Sequence, residues 1–306
     1  MTLNELRYIV AVAKERHFGR AAAACFVSQP TLSVAVKKLE DELGITLFER
    51  QQSDVLVTEL GKTIIQQAQA VLELTQDIKK LAAHAENPLE GTLKLGIIYT
   101  IGPYLMPSLI SDIQTAAPNL ELIIDEDFTH NLIKKLNTGD IDMAIIALPF
   151  EFKGLETRML YQEPFVVALP KGHDLARKKR LAPKDISDET MLLLKSGNCF
   201  RDQVLQFCPH CIQSAESQKL QKTLEASSIE TIRQMVAIGA GITLLPATAV
   251  DIDNRMQDLL EYRPFVKPHP YRDVALMHRS QYPITALLDF IETTVKQSNI
   301  QNITVY

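Results

Sequence analysis

Helical periodicity dominates the first 45 residues. Apolar positions recur at spacings of three and four, which predicts amphipathic helices. Two short runs of alternating apolar and polar residues, 45–48 and 55–57, then predict a small β-wing. This succession predicts a winged helix-turn-helix over residues 1–58. The predicted helices are approximately 3–13, 21–25 and 31–43.

A single long helical pattern follows the wing. The stretch from Glu59 to Ala85 contains no proline, and its apolar residues keep the spacing of a coiled-coil seam. Such a helix is longer than a small domain buries by itself. We therefore predict a linker helix over residues 59–87 that pairs with a second copy of the chain. Its apolar residues are Leu60, Ile64, Ala68, Val71, Leu74, Ile78 and Leu81.

From residue 88 onward, strand and helix patterns alternate. This alternation predicts βαβ units with a parallel sheet. Residues 88–162 are predicted to form regulatory subdomain I, residues 163–266 to form subdomain II, and residues 267–306 to return to the first. The expected fold class is therefore α/β, with an N-terminal winged helix-turn-helix, a long linker helix and a two-lobed regulatory domain.

Composition excludes several classes of protein. Of the 306 residues, 46% are hydrophobic and 23% are charged, as in soluble globular chains, which excludes disordered and fibrous proteins. We find no signal peptide or membrane span, so we expect a cytoplasmic protein without a membrane partner. The net charge of −5 means that nucleic-acid binding has to depend on a local surface. Four cysteines in a reducing compartment suggest redox or metal chemistry rather than structural disulfides.

The third predicted helix has the features of a helix that reads DNA. Short polar residues at a helix N-terminus suit hydrogen bonds to phosphates and base edges in the major groove. The alternative is a helical domain that only binds other proteins. The residues predicted to contact DNA are Ser28, Gln29, Pro30, Thr31, Ser33, Lys37, Lys38 and Arg50.

Cys199 is the candidate reactive group. It follows a glycine turn, begins a predicted helix and precedes Arg201 by two residues. A helix N-terminus and a guanidinium both favour the thiolate, so we expect a lowered pKa. Cys208 lies nine residues later. If the segment between them is helical, about 13 Å separates the two cysteines, whereas a disulfide needs Cα atoms within about 7 Å. A bond between them therefore requires that helix to unfold.

The segment Cys208-Pro-His-Cys211 allows other interpretations. A CxxC pair is typical of half a metal site or of a thiol oxidoreductase. The sequence has no second cysteine pair, and Cys208 follows a predicted helix rather than beginning one, so we predict neither a metal nor a cofactor. Thr100 and Thr129 stand where strands end, and each either contacts a ligand or caps a helix.

Several motifs resemble those of the LysR-type transcriptional regulators. They are Phe18-Gly-Arg-Ala-Ala-Ala-Ala, Val27-Ser-Gln-Pro-Thr-Leu-Ser33, Lys38-Leu-Glu-Asp-Glu-Leu-Gly44 and Leu47-Phe-Glu-Arg50. The order of the blocks resembles that family from end to end. The resemblance implies a dimerising linker helix, a regulatory domain with the periplasmic-binding-protein fold and a tetramer built from two dimers. It also implies double-stranded promoter DNA and RNA polymerase as partners.

The segments Tyr99-Thr-Ile-Gly-Pro-Tyr-Leu105 and Gly197-Asn-Cys-Phe-Arg-Asp-Gln203 are similar to those of the peroxide-sensing members of the family. The resemblance implies that hydrogen peroxide is the signal, that Cys199 is oxidised to a sulfenic acid, and that Cys208 resolves it to a disulfide. It implies that Arg201 is the charge partner. The implied peroxide pocket consists of Thr100, Thr129, His130, Arg201 and Asp202.

Two features depart from that pattern. Asn198 stands where relatives often have histidine, and Cys211 is an additional cysteine that allows a bond to Cys208 or to Cys199. Two other functions remain open at this point. One is a LysR-type regulator that binds a small organic effector in the cleft between its lobes, and the other is a thiol oxidoreductase that uses Cys208 and Cys211.

Overall fold

The structure is a computed structural model that describes residues 1–50, 55–83, 87–150, 152–208, 225–250 and 258–306. The chain divides into two compact units, Met1–Ala85 and Glu86–Tyr306. None of the helices in the described ranges is long and apolar enough to cross a bilayer. The subdomain boundaries given above stay predictions.

The first unit is a winged helix-turn-helix followed by a long helix, as predicted. The packed face of its third helix consists of Leu32, Val36 and Leu39, which are almost fully buried at the spacing of one helix face. The second helix begins earlier than predicted because the His17 ring accepts the Gly19 and Arg20 N–H groups. The elements are α1 (Leu3–Glu15), α2 (Phe18–Ala24), α3 (Gln29–Leu43), the antiparallel pair β1 (Phe48–Arg50) and β2 (Val55–Val57), and α4 (Glu59–Ala83).

Helix α4 carries two separate apolar stripes. One stripe contains Ile65 and Ala68, which are buried in the core of the first unit, with Ile64 partly buried against it. Ala68 has the spacing of the intermolecular seam but lies about 120° around the helix from Leu74, and Ile64, which we predict in that seam, faces partly into its own unit. The other stripe is exposed in the single chain. Its members are Leu60, Val71, Leu74, Ile78 and Leu81.

The second unit is built on an eight-stranded sheet with helices on its faces, and β7 and β8 form a separate parallel pair. Strands β3, β4 and β5 are parallel, and every residue of β5 is buried, as expected for a central strand covered on both sides. The elements are β3 (Gly91–Ile98), α5 (Gly102–Ala116), β4 (Leu120–Asp127), α6 (Thr129–Asn137), β5 (Met143–Ala147), β6 (Leu155–Pro170), β7 (Leu193–Leu194), α7 (Cys199–Phe207), β8 (Glu225–Ala226), α8 (Ile229–Ala237), β9 (Thr243–Pro246), β10 (Leu260–Pro264), β11 (Tyr271–Arg279), α9 (Thr285–Gln297) and β12 (Thr304–Val305).

Strand β6 joins two lobes. Its first half pairs with β11, and its second half pairs with β9 and β10. One hydrophobic core, the first lobe, uses residues from Leu93 to Tyr161 and from Val274 to Val295. The other core, the second lobe, uses residues from Phe165 to Phe265. The predicted two-lobed α/β architecture is confirmed, although the sequence predicts only the part of β6 from Phe165 to Leu169 as a strand.

We predict that the exposed stripe of α4 holds two copies of the chain together. The double variant Leu74→Glu/Ile78→Glu places like charges in an apolar seam, so it should shift the protein to a lower association state and weaken its binding to DNA. Sedimentation velocity measures the shift. Gln76→Glu, on the opposite face of the same helix, is the matched control and should leave the association state unchanged. Identical sedimentation of the double variant and the wild type would contradict the assignment.

Candidate functional site

Three helix beginnings meet around a small cavity in the second unit. Thr100 precedes α5, Thr129 is the first residue of α6, and Cys199 is the first residue of α7. The cavity has a volume of about 10 Å³, which is room for about one water-sized molecule. Helix N-termini present free N–H groups and a partial positive charge, so the cavity suits a thiolate or another group that becomes negative. Its lining residues are Ile98, Tyr99, Thr100, Asp127, Phe128, Thr129, Asn198 and Cys199.

The Cys199 thiol is free and has few polar neighbours. The Thr129 hydroxyl donates to its Sγ atom at 3.7 Å. Gly197, at φ +90°, makes the turn that precedes α7, and the Asn198 side chain then caps the helix by accepting the Phe200 N–H at 3.0 Å. Asn198 is therefore a capping residue in this structure. The sulfur faces the cavity beside one hydroxyl.

Arg272 is the functional residue that sequence reasoning missed. Its guanidinium is fully buried and donates to Glu163 at 2.7 Å, to the Thr100 hydroxyl at 2.8 Å and to the Thr100 carbonyl oxygen at 2.8 Å. Its carbon atom also lies 5.4 Å from the centre of the Phe200 ring. Arg272 thus orients the Thr100 hydroxyl and brings a cation close to Cys199. The sequence offers no local signal for it, since Arg272 precedes the apolar run of residues 274–277 that predicts the strand.

Burial raises the pKa of the Cys199 thiol above its ordinary value. The positive charge of Arg272 and the Thr129 hydroxyl oppose this effect, while the negative charge of Asp202 adds to it. The expectation of a lowered pKa is therefore wrong for the thiol in this structure. The physical reason is that removing the thiolate from water destabilises it. The helix terminus and the Arg272 guanidinium, whose charge Glu163 partly neutralises, stabilise it by less.

The other residues predicted for the pocket lie around it. His130 is exposed and stacks on Phe128, with the ring centres 5.8 Å apart. Arg201 donates to the Leu194 carbonyl oxygen at 2.8 Å. The cation whose charge opposes the raised pKa of Cys199 is therefore Arg272, in place of the predicted Arg201. Asp202 is exposed in the first turn of α7. The structure brings Thr100 and Thr129 to the cavity and leaves these three outside its lining.

Cys208 stands at the far end of helix α7 from Cys199. It is buried, caps the helix and takes part in a disulfide bond, whereas Cys25 and Cys199 are free thiols. The predicted bond between Cys199 and Cys208 is thus absent from this state, in which α7 is intact. Cys211 lies outside the described residues.

The residues predicted to read DNA lie in two elements: Ser28 to Ser33 at the N-terminus of α3, Lys37 and Lys38 farther along that helix, and Arg50 in β1. The Ser28 hydroxyl caps the helix by accepting the Thr31 N–H, while Gln29 and Pro30 are exposed. The amino groups of two exposed lysines pair with acids on the same unit: Lys37 with Asp41 at 2.9 Å, and Lys38 with Glu5 at 3.3 Å. Ser33 is half-buried, and Arg50 ends β1.

A larger cavity lies at the other end of α7. Its volume is about 540 Å³, in the range of small-molecule sites. Leu148, Phe165, Gln203 and Arg272 contribute to its lining, and the Gln203 amide donates to the Leu148 carbonyl oxygen at 2.8 Å.

Comparison with known proteins gives two family matches. Residues 3–62 match the bacterial regulatory helix-turn-helix protein of the lysR family, and residues 86–298 match the LysR substrate binding domain. A hydrogen peroxide-inducible genes activator of Dickeya chrysanthemi is 39% identical over 297 residues, which are 97% of this chain and 95% of that relative.

Two solved structures are similar over nearly the whole chain. A full-length OxyR variant from Pseudomonas aeruginosa is 46% identical with a TM-score of 0.78, covering 99% of this chain and 98% of that one. A hydrogen-peroxide-bound OxyR variant from Corynebacterium glutamicum is 33% identical with a TM-score of 0.65, covering 97% and 92%.

The raised pKa predicts how Cys199 reacts as the pH changes. A small thiol reagent should modify Cys199 slowly at pH 7 and faster as the pH rises, with a midpoint above the ordinary value of about 8.5. The double variant Arg272→Gln/Glu163→Gln removes the opposing cation without leaving a lone buried charge, so the midpoint should rise further. Mass spectrometry of Cys199 after timed exposure to methyl methanethiosulfonate gives the rates.

The matched control for this experiment is Arg201→Gln, which should leave the midpoint in place because that guanidinium bonds to Leu194. A wild-type midpoint below pH 7, or an equal shift in Arg201→Gln and in the double variant, would contradict the assignment.

Proposed function

The chain belongs to the LysR family of bacterial transcription regulators, and we propose that it senses hydrogen peroxide through Cys199 and converts the signal into altered binding of promoter DNA. It is then a DNA-binding regulator rather than an enzyme. The observation that carries the proposal is the free Cys199 thiol beside the Thr129 hydroxyl in a cavity of about 10 Å³. A cavity of this size favours a signal hardly larger than water.

The first step is attack of the Cys199 thiolate on one peroxide oxygen. The S–O bond forms as the O–O bond breaks, so sulfur is oxidised to the sulfenic acid and the second oxygen leaves as hydroxide, which takes a proton to become water. The helix N-termini and the Thr100 and Thr129 hydroxyls stabilise the charge on that leaving oxygen. Arg272 holds Thr100 in place because the Thr100 hydroxyl accepts from its guanidinium.

The second step is condensation of the sulfenic acid with the Cys208 thiol, which forms a disulfide and releases water. Two conditions follow from the geometry. Helix α7 has to unfold, since its nine residues hold the two cysteines apart. Cys208 also has to be present as a thiol, so its existing disulfide must be reduced beforehand. Unfolding of α7 is the change of shape that oxidation drives.

The oxidised regulatory unit acts on DNA through an oligomer. We propose that α4 joins two chains, that pairs of dimers form a tetramer, and that α3 enters the major groove with RNA polymerase as a further partner. The protein acts in the cytoplasm. The exposed apolar stripe of α4 and the polar N-terminus of α3 support this arrangement.

One alternative has an observation in its favour. The 540 Å³ cavity is large enough for a small organic effector of a LysR-type regulator. The thiol oxidoreductase interpretation has less support. Cys208 is buried at the C-terminal end of a helix, where the helix dipole disfavours the attacking thiolate.

We predict that Cys199→Ser abolishes the peroxide response and leaves DNA binding by the reduced protein intact. The protein is reduced with dithiothreitol, desalted and treated with one equivalent of hydrogen peroxide, and its footprint on promoter DNA is compared with and without oxidant. Cys25→Ser is the matched control and should respond like the wild type. An unchanged response in Cys199→Ser would overturn peroxide sensing, and a response to small organic acids without thiol chemistry would favour the effector alternative.

We predict that Thr129→Val slows oxidation of Cys199 by peroxide on the order of 100-fold, because the leaving oxygen loses a donor. Valine is nearly isosteric, so reaction with a bulky alkylating reagent should slow only as far as loss of the hydroxyl raises the pKa of Cys199, much less than the reaction with peroxide. Stopped-flow measurements with both reagents separate these effects. Equal slowing with both would mean that the substitution acts only on access or on the pKa of the thiol, and no slowing would leave Thr129 with a structural role alone.

A further inference from the structure

The outward face of α3 contains one apolar side chain among polar ones. Val34 is 68% exposed, although it belongs to the helix that the proposed function places in the major groove. It lies about 200° around the helix from Leu32, the residue at the centre of the packed face. The valine therefore points away from the core of its own unit.

The neighbours of Val34 on this face are residues predicted to contact DNA. Residues three and four positions away share a helix face, and here they are Pro30, Thr31, Lys37 and Lys38, all exposed and all predicted to contact DNA. Val34 thus occupies the centre of the predicted recognition surface. The sequence analysis assigned its neighbours to DNA and left Val34 without a role.

Folding gives no reason for a valine at this position. Val34 is absent from the described hydrophobic core of the first unit and from the partly buried residues packed against it. A β-branched residue on an exposed helix face also forms helix less readily than alanine. Its two methyl groups are therefore available to another molecule.

We propose that Val34 reads the C5-methyl group of a thymine in the major groove. Thymine is the base of unmodified DNA that presents an apolar group there, whereas the other base edges present hydrogen-bond donors and acceptors. A valine over those edges would leave them without partners, so it discriminates against the other bases as well as favouring thymine. Lys37 and Lys38, on either side, exchange their present carboxylate partners for phosphates.

This inference rests on DNA binding through α3, which belongs to the proposed function, and a methyl-deletion experiment tests it. A duplex is selected with the reduced full-length wild-type protein from a random library, and each thymine is then replaced singly by deoxyuridine, which removes only the C5-methyl group. Fluorescence anisotropy gives the Kd. We expect that removal of the methyl group from one particular thymine in a half-site raises the Kd about fourfold.

The variant Val34→Ala, measured on the same duplexes, completes a double-mutant cycle between residue 34 and the thymine methyl group. It should bind the thymine duplex several-fold more weakly than the wild type and be indifferent to deoxyuridine at that same position. Val266→Ala replaces an exposed valine of the second unit and is the matched control, so it should retain the wild-type sensitivity.

Two outcomes would overturn the inference in different ways. If Val34→Ala keeps the full sensitivity to deoxyuridine, or binds as tightly as the wild type, the duplex is bound but Val34 does not read thymine. If the wild-type protein selects no duplex at all, both the inference and the proposed DNA binding fail.

Discussion

The buried ion pair between Arg272 and Glu163 is the interaction on which the regulatory unit depends. The two residues stand opposite each other on β11 and β6, and both side chains are fully buried. Arg272 continues to Thr100 in the first lobe, and Glu163 accepts from Thr248, which adjoins the core of the second lobe. Removing one partner of such a pair costs about 3–5 kcal/mol, because a lone charge stays buried. The strands that join the lobes are therefore fixed to each other at this point.

The same arginine sets the conditions for chemistry at Cys199. Burial keeps the thiol protonated, while Arg272, the Thr129 hydroxyl and the start of α7 favour the thiolate. The site thus holds its nucleophile in the less reactive form and its stabilising groups already in position. A sulfenic acid adds one oxygen atom, which occupies the cavity with room for about one water at the start of α7. The far end of the same helix carries Cys208, so the proposed oxidation and the proposed unfolding concern one helix.

The two long helices of the first unit each have a packed face and an exposed face. In α4, the stripe with Ile65 and Ala68 stabilises the unit itself, and the stripe with Leu74 and Ile78 stays exposed in the single chain. In α3, the packed face around Leu32 holds the helix in place, and Val34 stands on the exposed opposite face. One helix surface cannot serve two partners at once, so this angular separation is what the proposed pairing through α4 and the proposed DNA binding through α3 require.

Local pattern in the sequence determined the helices of the first unit and the βαβ series. It also placed three candidate reactive or hydrogen-bonding residues, Cys199, Thr100 and Thr129, at the ends of predicted helices and strands. These features depend on spacings of a few residues, and periodicity records such spacings directly. Only the tertiary structure decided that Arg272 meets Thr100 across 172 positions of the chain and that β6 continues through both lobes. It also decided the sign of the pKa shift of Cys199. That sign depends on how much water packing removes from the thiol, and the amount of burial is a property of the assembled lobes, which no local spacing encodes.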